Sequence, residues 1–266
     1  MQITKHACVL VAALLLATGS AHAVTSGPGL VGQLGIIDLT ANGGINPATG
    51  AAWADGDQYR LVFVSSTFRD AASHDIADYN AHVQAAANAA GIGSVTWNAI
   101  ASTWDGDGGA TVDARDNTST NPGVDGSGVG IILIDGSTII ANDYNDLWDG
   151  TIDSQINRTE SNGAYTPPLT SPFGQFGGVW AGTTASGTNR GVASLGGPRA
   201  DLGLAIAVNS QWIRRADINP HDNASLGLYA MSEALTIRGP SGAIPEPATA
   251  TIALVGLSGL LLRRRR

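Results

Sequence analysis

Lysine and cysteine are almost missing from this chain of 266 residues: Lys5 and Cys8 are the only ones. Both fall in a stretch that reads as a secretory signal. Lys5 gives a positive start, Ala7 to Ala17 an apolar core, and Ala21-His22-Ala23 a small-x-small cleavage site. Cleavage there starts the mature chain at Val24 and leaves no thiol, disulfide, or cysteine metal site or nucleophile. Glutamate is scarce too, with only Glu160 and Glu233 between Val24 and Ala243, and the same segment holds three histidines, His74, His82 and His221. None of these histidines has a metal-ligand partner at short range, and no Gly-x-Ser-x-Gly elbow occurs there. His221 and Asp222 are neighbours on a turn, a poor arrangement for aiming both at one serine. The many aspartates offer no marked pair for glycosidase chemistry. No enzyme and no metal centre is therefore expected.

Basic charge is limited as well. Between the two ends stand nine arginines against twenty-one acids, a net charge of about −12, which leaves no basic stripe for phosphates and excludes a nucleic-acid partner. Most of the acids are aspartates beside Gly and Asn, as in well-solvated loops.

What the chain does have is a distinctive end. Ile244-Pro245-Glu246-Pro247 precedes an uncharged apolar run, Ala248 to Leu262, closed by Arg263, Arg264, Arg265 and Arg266. Such a run enters a bilayer as a helix with its basic end held in the cytoplasm. At ~1.5 Å per residue it spans only ~22 Å, short of a ~30 Å hydrocarbon core unless its flanks snorkel, so it reads as a provisional anchor. These three parts in order resemble the PEP-CTERM sorting signal of Gram-negative bacteria. That resemblance implies export, processing by signal peptidase and by the membrane transpeptidase exosortase near Pro245, Glu246 and Pro247, and transient residence in the inner membrane. It also implies a final place at the cell surface or outside it, often in biofilm-forming, exopolysaccharide-rich species.

Residues 1–23 thus form a signal peptide, 24–243 one extracellular α+β domain, and 244–266 the sorting signal. Within the domain the pattern predicts strands at Leu34–Thr40 and Gln58–Ser65, the latter apolar on both faces and so central. A helix follows, capped by Asp75 or Ser73 and stopped by Gly91, with Ile76, Tyr79, Val83, Ala86, Ala87 and Ala90 on one face. Ser94–Ser102 reads as extended, Gly130–Ile134 and Ser137–Ala141 as a hairpin about Asp135-Gly136, and Ser161–Gly178 as a loop. Val179–Thr184, Leu204–Trp212 and Leu226–Ile237 complete the expected core. Asp113 or Asp116 with Arg115 forms either a structural ion pair or the wall of a polar groove.

Together these blocks resemble extracellular modules of the C-type-lectin and endostatin folds. The resemblance rests on Arg60–Ser66, the helix with Gly91, Trp97–Ser102, Asp113–Asp116, Leu147–Gly150, and Val179–Thr183 followed by Gly187. It implies mixed β-strands, one main amphipathic helix and long Gly/Asp-rich loops. The cysteines common in those modules are missing, so packing around Trp180 and Trp212 must replace them, and the sugar-coordinating Glu-Pro-Asn and Trp-Asn-Asp loops are absent.

Six tryptophans remain. Trp97, Trp180 and Trp212 sit in strand patterns and are expected in the core. Trp104 and Trp148 sit in Asp/Gly loops and are expected at the surface, where, with Asp105, Asp107, Asp146 and Asp149, they would form a glycan platform. Trp104–Gly109 has calcium-loop composition, but Gly109 occupies a ligand position and no glutamate closes the loop, so an Asp/Gly turn is the better reading. No cofactor is expected; calcium is the one candidate ion for such loops, and solvation is the commoner reason for them. The expected role is structural or adhesive, with lectin-like binding of exopolysaccharide as the alternative.

Overall fold

The computed structural model describes residues 44–54, 56–106, 111–168, 177–218 and 224–237. The expected signal peptide, the strand at Leu34–Thr40, the sorting tail, Asp107 and His221 lie outside them. The described residues form a mixed α+β fold, a curled mixed sheet with one main helix.

The sheet is built on β1 (Gln58–Val64) and β8 (Gly227–Ser232), which run antiparallel. Both are apolar on successive residues, as central strands covered on two sides must be. β1 also pairs in parallel with β3 (Gly130–Leu133), which pairs antiparallel with β4 (Ile139–Ala141). The parallel pair needs a long crossover. That crossover contains helix α1 (Ile76–Ala89), the short β2 (Trp97–Ala99), α2 (Ala114–Asn117) and α3 (Pro122–Asp125). At its other edge β8 meets two partners, β2 along one half and β5 (Gly178–Trp180) along the other. Beyond β5 the sheet continues through β6 (Ala200–Leu204) to β7 (Ala216–Ile218). The last expected strand is interrupted at Glu233, so that β9 (Leu235–Thr236) rejoins β1 separately. At the break the Ser232 hydroxyl accepts from Leu61 N (3.0 Å), a side chain supplying a bond the ladder has lost.

Alternation along β1 feeds two cores. Tyr59, Leu61 and Phe63 face a core covered by α1, where Tyr79, Val83 and Ala87 pack and the Phe63 and Trp97 rings lie 4.8 Å apart. Burying each large apolar side chain here stabilises the fold by about 1.5–3 kcal/mol. α1 starts as expected: Asp75 Oδ1 accepts from Ala77 N (2.9 Å), and Gly91 follows the C-cap at φ 79°. A reciprocal amide pair between Asn80 and Asn117, both bonds 2.9 Å, ties the helix to α2.

Val62 and Val64 face the opposite core, whose cover is made of short pieces: α2, α4 (Tyr144–Leu147) and connecting loops carrying Trp148, Ile152, Ile156 and Trp212. Arg60 is buried on this side and donates to the Tyr144 hydroxyl (2.8 Å) and to the carbonyls of Ser232 (2.8 Å) and Ser119 (3.1 Å). Trp212 is fully buried, but not in a strand: it ends a 3-10 turn, Ser210–Trp212, after β6 has ended at Leu204. The chain doubles back there, and a Cβ on Gly203 would stand 2.0 Å from the Trp212 carbonyl oxygen.

Candidate functional site

The expected glycan platform separates into two unlike places. Trp104 is half-buried in the segment after β2; its N donates to Leu195 O (2.8 Å) and its ring lies 6.2 Å from that of His74. Asp105 beside it is also half-buried. Trp148 belongs to the loop-covered core. It is only 7 % exposed, its indole N–H donates to Thr120 O (3.1 Å) and Thr120 Oγ1 (3.0 Å), and its ring lies 6.1 Å from Trp212. The expectation of a surface Trp148 is thereby corrected.

The neighbouring aspartates explain why. Asp143 caps α4 by accepting from Asp146 N (2.9 Å), Asp146 Oδ2 accepts from Asn142 N (2.6 Å) and Nδ2 (2.8 Å), and Asp149 Oδ1 accepts from Thr151 N and Oγ1, both at 2.8 Å. These carboxylates close their own loop, as Asx turns do, and Trp148 turns inward between them. Asp153 nearby has a raised pKa, from burial first and then from the Asp146 and Asp149 charges, with the Asn142 amide opposing. Among the described residues no group of three or more His, Cys, Asp or Glu side chains converges as a metal site.

Trp148 lines an open cleft of about 440 Å³ together with Arg115, Asn121, Val124, Asn145 and Ser186. The cleft is tightly built. Gly187, at φ +75°, lies against the indole, and a Cβ there would approach Trp148 Cδ2 to 2.7 Å. Arg115 N donates to Gly187 O (3.1 Å), while Arg115 Nε lies 3.6 Å from Asp113 Oδ2. Arg115 therefore fulfils both expected roles, ion pair and groove wall. Asn121 is spent on scaffold: its Oδ1 caps α3 through Gly123 N (3.0 Å) and its Nδ2 donates to Asp116 Oδ1 (2.6 Å). Val124 projects from the rim, 79 % exposed.

Asn121, Val124, Asn145 and Ser186 were not singled out from the sequence. The Asn121-Pro122 pair, an N-cap followed by proline at the first helical position, is the local signal that could have marked this wall.

Another polar cluster lies where β1 ends. Buried Glu160 accepts from Ser66 N (2.9 Å) and from the Ser66 hydroxyl, while His82 Nε2 lies 3.1 Å from Thr67 Oγ1. The serine and the histidine thus address different partners. The His82 pKa is lowered, by burial first and by Arg69, against the opposing pull of the Thr67 carbonyl and Glu160.

No family model and no curated protein matches the chain. Among the described residues no helix is long and apolar enough to cross a membrane.

Proposed function

We propose that this is an exported, non-enzymatic protein of the cell surface or extracellular matrix with a structural or adhesive role. The secretory signal delivers it, and the PEP-CTERM tail holds it in the inner membrane until exosortase acts near Pro245, Glu246 and Pro247. The domain between is of the C-type-lectin/endostatin-like kind. That reading is supported by a first strand paired antiparallel with the last ones, Gln58 opposite Thr236 and Val62 opposite Met231, with the main helix in the crossover after it. Export and tail processing are tested by fractionating cells that make the full chain with Pro245, Glu246 and Pro247 all changed to alanine. The variant is expected to accumulate unprocessed in the membrane while the wild type is released from it, and identical fractionation of the two would sink the proposal.

The Trp148 cleft favours a lectin-like function, binding of exopolysaccharide. Trp148 supplies an aromatic lining, and Arg115, Asn145 and Ser186 beside it supply hydrogen-bonding groups for a sugar's hydroxyls. Val124→Asp on the exposed rim should abolish glycan binding without disturbing the fold. Retained binding in that variant, measured by titration calorimetry, would remove this cleft as the site.

A further inference from the structure

Across the Thr184–Thr188 turn from the Trp148 cleft lies a second one, of about 400 Å³. Ser186 at the tip of the turn lines the first cleft and its neighbour Ala185 the second, so the two adjoin. The second cleft carries Arg190, Arg214 and Arg215, a third of the nine arginines that the acidic domain possesses. Two of them, Arg190 and Arg214, share one carboxylate, that of Asp201.

Asp201 is fully buried on β6, and its role is orientation. Its Oδ2 accepts from Arg190 Nη1 and lies 3.9 Å from Arg214 Nε, so one sequestered carboxylate holds the first guanidinium and faces the second. Asp217 stands opposite Asp201 in the β6–β7 register. The Arg214 side chain keeps 49 % of its surface exposed. Its backbone is fixed: Arg214 N donates to Ser210 O (3.0 Å) and Arg215 N to Leu202 O (2.7 Å). Guanidinium forks match the two oxygens of a carboxylate, and a fixed backbone spares them main-chain ordering on binding.

We propose that this cleft binds the carboxylate of an acidic polysaccharide, a uronic-acid polymer, whose neighbouring ring crosses the Ala185–Ser186 tip into the Trp148 cleft. The inference rests on the glycan-binding reading and gives it a chemical class. A small free anion presents the same chemistry, so the test includes one.

The full chain in mild detergent would be titrated calorimetrically, at low ionic strength, with an oligogalacturonate, a neutral dextran oligosaccharide of equal length, and inorganic phosphate. The oligogalacturonate should bind more tightly than either of the others. Arg214→Ala should weaken it roughly tenfold, the loss of one hydrogen-bonded charge partner. Gln211→Glu, which adds a negative charge on an exposed wall and removes no partner, should also weaken it. Dextran binding should be unchanged in both variants. Uronate affinity indifferent to both substitutions would overturn the proposal while leaving glycan binding intact, and phosphate binding as tightly as the oligomer would overturn it in favour of a small-anion site. Failure of both glycans to bind would overturn this proposal and the lectin reading together.

Discussion

The two faces of the central sheet are covered by different means. On one side a single helix of 14 residues lays Tyr79, Val83 and Ala87 over Tyr59, Leu61 and Phe63. On the other, where Val62 and Val64 point, helices of four residues and loops bring in Trp148, Trp212 and Ile156 one side chain at a time. The helix satisfies its own backbone as it covers. The loops must satisfy theirs with side chains, which is why Asp143, Asp146, Asp149 and Asn121 are bound to nearby amides. Both clefts open among the segments of this second face. A cover assembled from short pieces leaves gaps between them, and a continuous helix does not.

If the loop-built cover is a full core, emptying it must cost as much as emptying the other. Trp212→Ala on the loop side and Trp97→Ala on the helix side should each destabilise the chain by about 3–5 kcal/mol in urea denaturation. Trp212 has no disulfide to share its task; its ring lies 5.7 Å from Tyr229, whose hydroxyl donates to the Trp212 carbonyl (2.8 Å). A loss below about 1 kcal/mol for Trp212→Ala would reduce the loop side to decoration and break the equivalence.

Capping sharpens the comparison at a smaller scale. Asp75→Ala removes one bond to the start of a long helix and should cost about 1 kcal/mol. Asn121→Ala removes a cap from a four-residue helix and also the amide bond to Asp116. With so little helix of its own to fall back on, α3 should lose at least as much, again about 1–2 kcal/mol, and the Trp148 cleft should lose ligand affinity with it. Equal glycan affinity in the Asn121 variant would mean that α3 does not shape the cleft.

Sequence patterns speak clearly about the first face and poorly about the second. The period of α1, its Asp75 cap and its Gly91 stop were all legible, because a helix repeats its signal every turn. The hairpin was legible from Asp135-Gly136, where Asp135 Oδ1 accepts from Ser137 N and Thr138 N, both at 2.9 Å. Leu204–Trp212 misled: its apolar start reads as a strand, yet Ile206 and Val208 are 51 % and 42 % exposed and the chain is turning. Trp148 misled in the opposite sense, since aspartates that look solvent-directed are in fact closing a loop around a buried ring. Neither the Asn121 wall nor the arginine cleft is periodic. Arg190 lies eleven residues from Asp201, and only the β6–β7 turn-back brings Arg214 to the same oxygen.

The smallest effect concerns the seam between the two halves, where His82 on α1 meets Thr67 and the charges of Arg69 and Glu160. Burial, aided by Arg69, outweighs Thr67 and Glu160, and the folded pKa lies below the ordinary value of 6.5. Above that value His82 is neutral in both states and costs nothing. As the pH falls below it, the unfolded chain takes up a proton the folded one resists, so stability declines until the folded pKa is reached and then levels off. His82→Gln removes this titration and keeps a group able to bond Thr67. Thermal melts between about pH 8 and about pH 5.5, a range in which ordinary carboxylates stay ionised, should show a smaller acid-side loss in the variant than in the wild type. His74 is exposed and present in both proteins, so the difference between the two curves isolates His82. A steeper loss in the variant would mean that protonated His82 is welcomed by Glu160 across the seam, and that the helix-covered half is joined to the loop by charge, where the present geometry joins it by burial.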